Sequence, residues 1–336
     1  MAATTKITHK RKLVIAALEK FPNSSKHSIA KYLFEKHPLH WNSLDSARYN
    51  VRELTGATGI RNAEINIKRK VEYTPSNQYG LGESKAKKRQ FVNIPTNYNN
   101  IIWMSDIHFP NHDIEAITAA LDYAKKVKIN CIVLGGDILD NEPFTNHDAP
   151  PPSATDVVDW FTMVENFLDM LKKHFPQAKI YWLEGNHDAW YKRYLMKKAP
   201  VLFNDEYFRL PQRLGLKKRG IEFLDDNIIL KAGALHLSHG HTLVRGFLAP
   251  VNPARGLFLK TKSNYIMGHV HQNSYHPERN VKGEIIGCWS VGCLCTLAPD
   301  YDHHNTKHGQ GFAHITVGER GAFKVDLKEI YNGRIL

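Results

Sequence analysis

Between residues 101 and 271, five short apolar runs each stop at a cluster of Asp, Asn, His and Gly. IIWMS ends in Ser105-Asp106-Ile107-His108, CIVLGG in Asp137, and KIYWLEG in Gly185-Asn186-His187-Asp188. ALHLSHG closes on His239-Gly240-His241, and NYIMGHV on Gly268-His269-Val270-His271. Apolar runs of this length, rich in β-branched and aromatic residues and bounded by glycine, read as strands. A single Asp-x-His or His-x-His is a frequent accident, and a lone histidine is usually a surface residue or a satisfied core residue. Five such clusters in order, each at a strand terminus, are a much tighter constraint. Carboxylate, imidazole and amide side chains projecting from strand ends into one crevice are what a hard or borderline metal requires.

The segments between and after these runs fit a layered α/β domain over residues 100–336. Asp113–Lys128 and Thr155–Phe175 have helical patterning, the latter ended by Pro176. The tail GFAHITVGERGAFKVDLKEI reads as a hairpin turning at Gly318–Gly321.

The first third of the chain differs in charge. Residues 1–100 hold eighteen Lys/Arg against seven Asp/Glu, whereas the remainder holds 27 against 26. Three helices are expected there: His9–Phe21 stopped by Pro22, SKHSIAKYLFEKH capped by Ser24 or Ser25, and NSLDSARYNVRELTG started by Asn42 or Ser43. Three short helices resemble a helix-turn-helix or winged-helix module over residues 1–74, with Ile60–Tyr73 as wing or added strand. Residues 75–99 are polar and read as a linker. Arg48 and Arg52 of the third helix are the candidate nucleic-acid contacts, against the plainer reading of a solvated basic face.

The ordered blocks Asp106-x-His108, Gly136-Asp137-x-x-Asp140, Gly185-Asn186-His187-Asp188, His239-Gly240-His241 and Gly268-His269-x-His271 resemble the calcineurin-like metallophosphoesterase superfamily. The resemblance covers roughly residues 100–330. It implies a β-sandwich flanked by helices and a two-metal hydrolase working through a metal-bridging hydroxide. One metal is implied to bind Asp106, His108, Asp137 and His271, and the other Asp137, Asn186, His239 and His269. His187 is implied to contact the phosphate or protonate the leaving oxygen, with Asp188 orienting it. The ligand set suits Mn²⁺, with Fe²⁺ or Zn²⁺ as alternatives.

The sequence departs from two branches of that superfamily. The protein Ser/Thr phosphatases follow the second block with an Arg that grips a phosphate monoester; here Asn141-Glu142 follows Asp140. Purple acid phosphatases place a Tyr where Asp140 stands. These departures and the basic first third lean toward a phosphodiesterase or nuclease acting on nucleic acid, DNA before RNA. The alternative is a phosphomonoesterase, for protein or small molecules, whose amino-terminal module docks a partner.

His112, His147 and His241 stand near these blocks and are weighed as possible contributors; Phe144 and His147 lie in a proline-stiffened loop. Tyr301, His303, His304 and His308 read as a solvated histidine cluster, and Cys293-Leu-Cys295 lacks the second pair a zinc knuckle needs. No apolar run approaches the ~18 residues of a membrane span. The few cysteines and the absence of an apolar stretch behind MAATTKITHKRK make a cytoplasmic, reducing setting the expectation.

Overall fold

The computed structural model describes residues 9–22, 24–55, 79, 81–82, 90–145, 154–243, 251–297 and 307–336. The chain divides into two units, Met1–Lys87 and Lys88–Leu336.

In the first unit, helices α1 (His9–Lys20), α2 (Lys26–Lys36) and α3 (Leu44–Leu54) match the expected three. Ser25 caps α2 and Ser43 caps α3, each accepting the backbone N–H three residues on. Val14, Ala17, Ile29, Ala30, Leu33, Ala47 and Val51 form one small core. Trp41, between α2 and α3, is buried at its centre and donates its indole N–H to Asn50 Oδ1 at 2.8 Å. The wing expected at Ile60–Tyr73 lies outside the described residues.

The second unit is built on two sheets. The first holds β2 (Asn100–Met104), β3 (Cys131–Leu134), β4 (Lys179–Leu183), β5 (Ile221–Leu224), β11 (Gln310–Val317), β12 (Phe323–Tyr331) and β13 (Arg334–Ile335). These seven strands run in the order β13-β12-β11-β2-β3-β4-β5. The second holds β1 (Gln90–Asn93), β6 (Ile228–Ala232), β7 (Leu235–Leu237), β8 (Tyr265–Met267), β9 (Ser274–Arg279) and β10 (Ile285–Ser290). Its order is β1-β6-β7-β8-β10-β9.

Strand periodicity sorts the side chains into layers. Ile101 and Trp103 of β2, with Cys131 and Val133 of β3, face Leu230, Leu235, Leu237 and Ile266 of the other sheet. Their neighbours Ile102, Met104, Ile132 and Leu134 point the opposite way. That face is covered by α4 (Ile114–Lys126) and α5 (Ala154–His174), through Ala116, Ala120, Ala124, Val164, Leu168 and Leu171. A further helix, α7 (Pro253–Thr261), covers the outer face of the six-stranded sheet through Ala254 and Leu257 against Tyr265, Met267 and Cys288. Each fully buried Val, Leu, Ile or Met among these is worth about 1.5–3 kcal/mol. The result is the expected sandwich flanked by helices.

One boundary moves. The linker expected over 75–99 contains β1, whose residues 90–93 pair in parallel with Ile228–Lys231 of β6. Four residues are too short for their alternation to be read, and their partner lies far along the chain.

Candidate metal centre

Parallel pairing of β2, β3 and β4 sets Asp106, Asp137 and Asn186 just beyond three adjacent carboxyl ends. In the other sheet, β7 and β8 run parallel and present His239 and His269 in the same way. The first two loops are locked together, since the N–H of Asp106 donates to Gly136 O at 2.9 Å and that of His108 to Asp137 O at 3.0 Å.

The backbone here is strained. Asp106, His108, Asp137, His269 and His271 all have φ between 52° and 72°, a left-handed conformation that costs a residue with a β-carbon about 1–2 kcal/mol. So many side chains of one site held this way argue for function rather than for stability. Neighbouring glycines leave room for them. A β-carbon on Gly185 would collide with the Asp137 carboxylate, and one on Gly268 with Asp106 and Ser105.

The seven expected ligands come together as two groups. Asp106, His108 and His271 place ligand atoms within 4.8 Å of one another, and so do Asp137, His239 and His269. His271 Nε2 lies 3.3 Å from Asp106 Oδ1 and 3.2 Å from His108 Nε2. His239 Nε2 lies 3.0 Å from Asp137 Oδ2 and 3.2 Å from Asn186 Oδ1. Asp137 Oδ2 is also 4.0 Å from His108 Nε2, so one carboxylate borders both groups.

The donor set fits cations. His239 gives its Nδ1–H to Gly135 O at 2.9 Å, which aims Nε2 at two oxygens, those of Asp137 and Asn186. This convergence draws positive charge. Burial lowers the His239 pKa, but the Asp137 charge and hydrogen bond outweigh it and raise it to about 9. His269 is kept neutral, its pKa lowered to about 3 by burial and then by the charge of His239. Its Nδ1 is buried without a hydrogen-bond partner. A neutral, unpartnered imidazole nitrogen beside two carboxylates is suited to a metal. The residues present therefore fit a pair of divalent cations, one per group, with Asp137 between them.

His187 sits at the edge of this centre, its ring 4.5 Å from that of His108. The expectation that Asp188 orients it is corrected by the hydrogen bonds. Asp188 is fully buried and turned away, accepting the backbone N–H of Asp137, Ile138, Leu139 and Gly185 and the indole N–H of Trp182. The residue that meets His187 is Asp140, whose Oδ1 is 2.7 Å from His187 Nδ1. Asn111 Nδ2 donates to the other Asp140 oxygen at 2.8 Å. Burial disfavours a charged His187, but Asp137 and then Asp140 outweigh it and raise its pKa. Asp188 instead ties the β3 loop to the β4 loop. A helix starting at Asp188 turns its carboxylate back toward these N–H groups, so adjacency to His187 in sequence becomes separation in space.

His308, expected in a solvated histidine cluster, instead stands beside the centre. It packs 4.5 Å from the His271 ring and lines a small cavity with His108, Asn111, Asp140 and Thr296. The cause is the pairing at the start of β11, where the Gly309 N–H donates to His271 O at 2.8 Å; no local pattern signals it. Tyr301, His303 and His304 lie outside the described residues. Cys293 and Cys295 are buried beside the other face of His271, with Cys295 Sγ 3.9 Å from its Nδ1.

Among the other nearby histidines, His112 bonds Pro110 O and packs on Phe109. The His241 ring lies 5.5 Å from that of His239, and its Nε2 is 3.8 Å from Asp226 Oδ2. His147 lies outside the described residues, and Phe144 packs against Tyr191 and Tyr194. In the first unit, Arg48 pairs with Asp45 at 3.3 Å on α3, and Arg52, one turn on, is exposed.

Several solved structures are similar to this chain. One is a conserved uncharacterised protein of Streptococcus pneumoniae TIGR4, a predicted phosphoesterase, at 14% identity over 71% of this chain and 95% of that one, with a TM-score of 0.31. Another is the Escherichia coli phosphoesterase Yfce, at 14% identity over 68% and 98%, TM-score 0.32. A third is a dimetal phosphatase of Danio rerio, at 11% identity over 71% and 98%, TM-score 0.34. No curated protein sequence matches the chain. Among the described residues, no helix is long and apolar enough to cross a membrane. The calcineurin-like phosphoesterase family model matches residues 100–286, more than half of the chain, and with its blocks converging on a centre fitted for two metals this protein belongs to that family of metal-dependent phosphoesterases.

Proposed function

We propose that the chain is a two-metal phosphodiesterase that cleaves nucleic acid, with Mn²⁺ as its working metal. The observation that carries this reading is position 141. Where the protein phosphatases hold a guanidinium for a monoester, this chain has Asn141, buried at 1% exposure, whose amide donates to His187 O at 3.1 Å. The described residues lining the small cavity beside His108, His271 and Asp140 include no Lys or Arg. A monoester carries about −1.5 to −2 at neutral pH, and an uncharged amide at position 141 in place of a guanidinium suits the single charge of a diester better. The eighteen Lys/Arg against seven Asp/Glu of residues 1–100 supply sequence-independent affinity for a polyanion.

Two cations at the ligand groups would contribute Lewis-acid stabilisation of a phosphoryl group. The protein's own residues do the rest. Asp140 accepts the His187 Nδ1–H, which fixes the tautomer and leaves Nε2 for the substrate. The Asp137 carboxylate accepts the His187 backbone N–H at 2.8 Å, tying that ring to the ligand set. With its pKa raised, His187 holds a proton for the departing oxygen.

The test is a substrate panel with Mn²⁺: single- and double-stranded DNA, RNA, bis(p-nitrophenyl) phosphate, p-nitrophenyl phosphate and a phosphopeptide. Cleavage of nucleic acid and preference for the diester are expected. Brisk release of phosphate from the monoesters with every nucleic acid intact would overturn the reading in favour of a phosphomonoesterase.

A further inference from the structure

The helix that follows the third sequence block, α6 (Asp188–Lys198), begins at the metal centre and carries a patterned outer face. Asp188, Tyr191 and Leu195 are buried. Trp190, Arg193, Tyr194 and Lys197 stand at i, i+3, i+4 and i+7, which puts them on one stripe. The stripe starts against the catalytic histidine, with the Trp190 ring 3.8 Å from that of His187. It continues outward through Tyr194, which packs against Phe144 on one side and is still 39% exposed, to the exposed Lys197. Lys192, off the stripe, is held by Glu184 at 2.8 Å. Among the described residues no carboxylate lies within ion-pair distance of Arg193 or Lys197, although Arg193 is near enough to Asp226 to help lower its pKa, behind the His241 hydrogen bond.

Charge is concentrated around this helix. Residues 101–336 hold 27 Lys/Arg and 26 Asp/Glu; nine of the former but only three of the latter fall in residues 188–219. Arg213 and Arg219 are engaged by Glu165 and Asp169. Lys197, Lys198, Lys217 and Lys218 remain exposed. Trp190 to Lys197 spans about 10 Å of helix, so the two cations and the tyrosine ring lie along one line that starts at His187. Alternation of cations with an aromatic ring is the means by which proteins hold single strands, phosphates on the charges and bases on the rings.

We infer that this face of α6 is the track by which a single strand of nucleic acid reaches the metal centre, with phosphates at Arg193 and Lys197 and a base on Tyr194. The inference rests on the nucleic-acid reading above and moves substrate selection onto the catalytic unit itself.

The test uses the full chain with Mn²⁺, comparing wild type with Arg193→Ala/Lys197→Ala on a single-stranded oligonucleotide and on bis(p-nitrophenyl) phosphate. KM for the oligonucleotide should rise by about tenfold for each cation removed from a phosphate, taking the lower range for a hydrogen bond to a charged group. Its kcat and the rate on the small diester should not change. The log–log salt slope should flatten by about 0.7 for each phosphate no longer neutralised. The charge-keeping pair Arg193→Lys/Lys197→Arg should restore most of the affinity. If wild type cuts the oligonucleotide and the alanine pair does so equally well across salt, the track is refuted while the nucleic-acid reading stands. If the oligonucleotide and the small diester lose rate together, α6 supports the site rather than the strand, and the track is again refuted. If wild type hydrolyses the small diester or a phosphopeptide but no oligonucleotide, the reading itself fails and the inference falls with it.

Discussion

Asp188→Asn separates the carboxylate that gathers buried N–H groups from Asp140, the one that meets His187. Asp188 Oδ2 accepts three N–H groups, from Asp137, Gly185 and the Trp182 indole, each at 3.0 Å. Oδ1 accepts two more, from Ile138 and Leu139, each at 3.2 Å. Asparagine has the same shape, so no cavity opens, but it has only one acceptor oxygen. Its best orientation keeps three donors satisfied and turns an NH₂ group toward the other two. Two buried donors without partners cost about 1–3 kcal/mol each, or about 2–6 kcal/mol together. Burial and then repulsion from Asp137 raise the Asp188 pKa to about 6, so removing its charge returns part of that loss. The net destabilisation should be about 2–4 kcal/mol, a large share of a typical total of about 5–15 kcal/mol. Urea and thermal unfolding in saturating Mn²⁺ would measure it, and Tm should fall by roughly 10 °C. Where the variant is still folded, its kcat on bis(p-nitrophenyl) phosphate should stay well above that of Asp140→Asn, which removes the negative charge facing His187 Nδ1. An unchanged unfolding midpoint with a kcat as low as that of Asp140→Asn would refute the reasoning and return Asp188 to the role its place beside His187 suggested.

The remaining predictions concern the metals, the backbone and the boundary. Asp137→Asn should abolish activity and lower bound metal measured by elemental analysis, while His187→Asn should retain metal and lose about 10²–10⁴ in kcat; a metal-free His187→Asn would contradict its placement outside the ligand set. Gly185→Ala should weaken metal binding and cost about 1–3 kcal/mol of stability, because the added methyl group meets the Asp137 carboxylate rather than open space. A chain beginning at Lys88 keeps β1 and should hydrolyse bis(p-nitrophenyl) phosphate at the full-length rate while binding DNA more weakly and with a flatter salt dependence; one beginning at Asn100 loses β1 and should unfold at a lower temperature. For the metal-free protein, burial raises the Asp106 pKa but the His271 hydrogen bond and charge outweigh it, lowering it from 3.8 to about 2. A depressed carboxylate stabilises the fold above its unfolded pKa, so about 2 kcal/mol should be present above pH 4 and lost as the pH falls through 2, a loss visible in acid titrations by circular dichroism.

What could be read from the sequence was what the chain encodes locally. A strand ending in Asp-x-His or Gly-Asn-His needs only its own apolar run and flanking glycine to be recognised, and serines three residues ahead of a helical N–H mark their own caps. The seven positions that converge on the centre were legible for that reason. The three helices of the first unit were too, apart from Trp41, whose place at the centre of the core depends on how α2 and α3 pack around the loop that carries it. β1 escaped because its pattern makes sense only against β6, in a register that nothing near residue 90 announces.

The partner of His187 was illegible for a related reason. In sequence, Asp188 is adjacent and Asp140 is 47 residues away, the separation of the bond that forms. Adjacency misleads at a helix start. His187 is the N-cap of α6, and Asp188, its first residue, points back over the preceding turn to collect free backbone N–H groups. The side chain able to reach His187 comes from the loop after β3, which parallel pairing with β4 places alongside. The same logic extends down α6. Once Asp188 is turned inward as an anchor, the helix phase is set, and Trp190, Arg193, Tyr194 and Lys197 fall on one stripe that starts against His187. The anchoring bonds of Asp188 thus orient the basic, aromatic stripe, and Asp188→Asn should weaken action on oligonucleotides more than it slows the small diester.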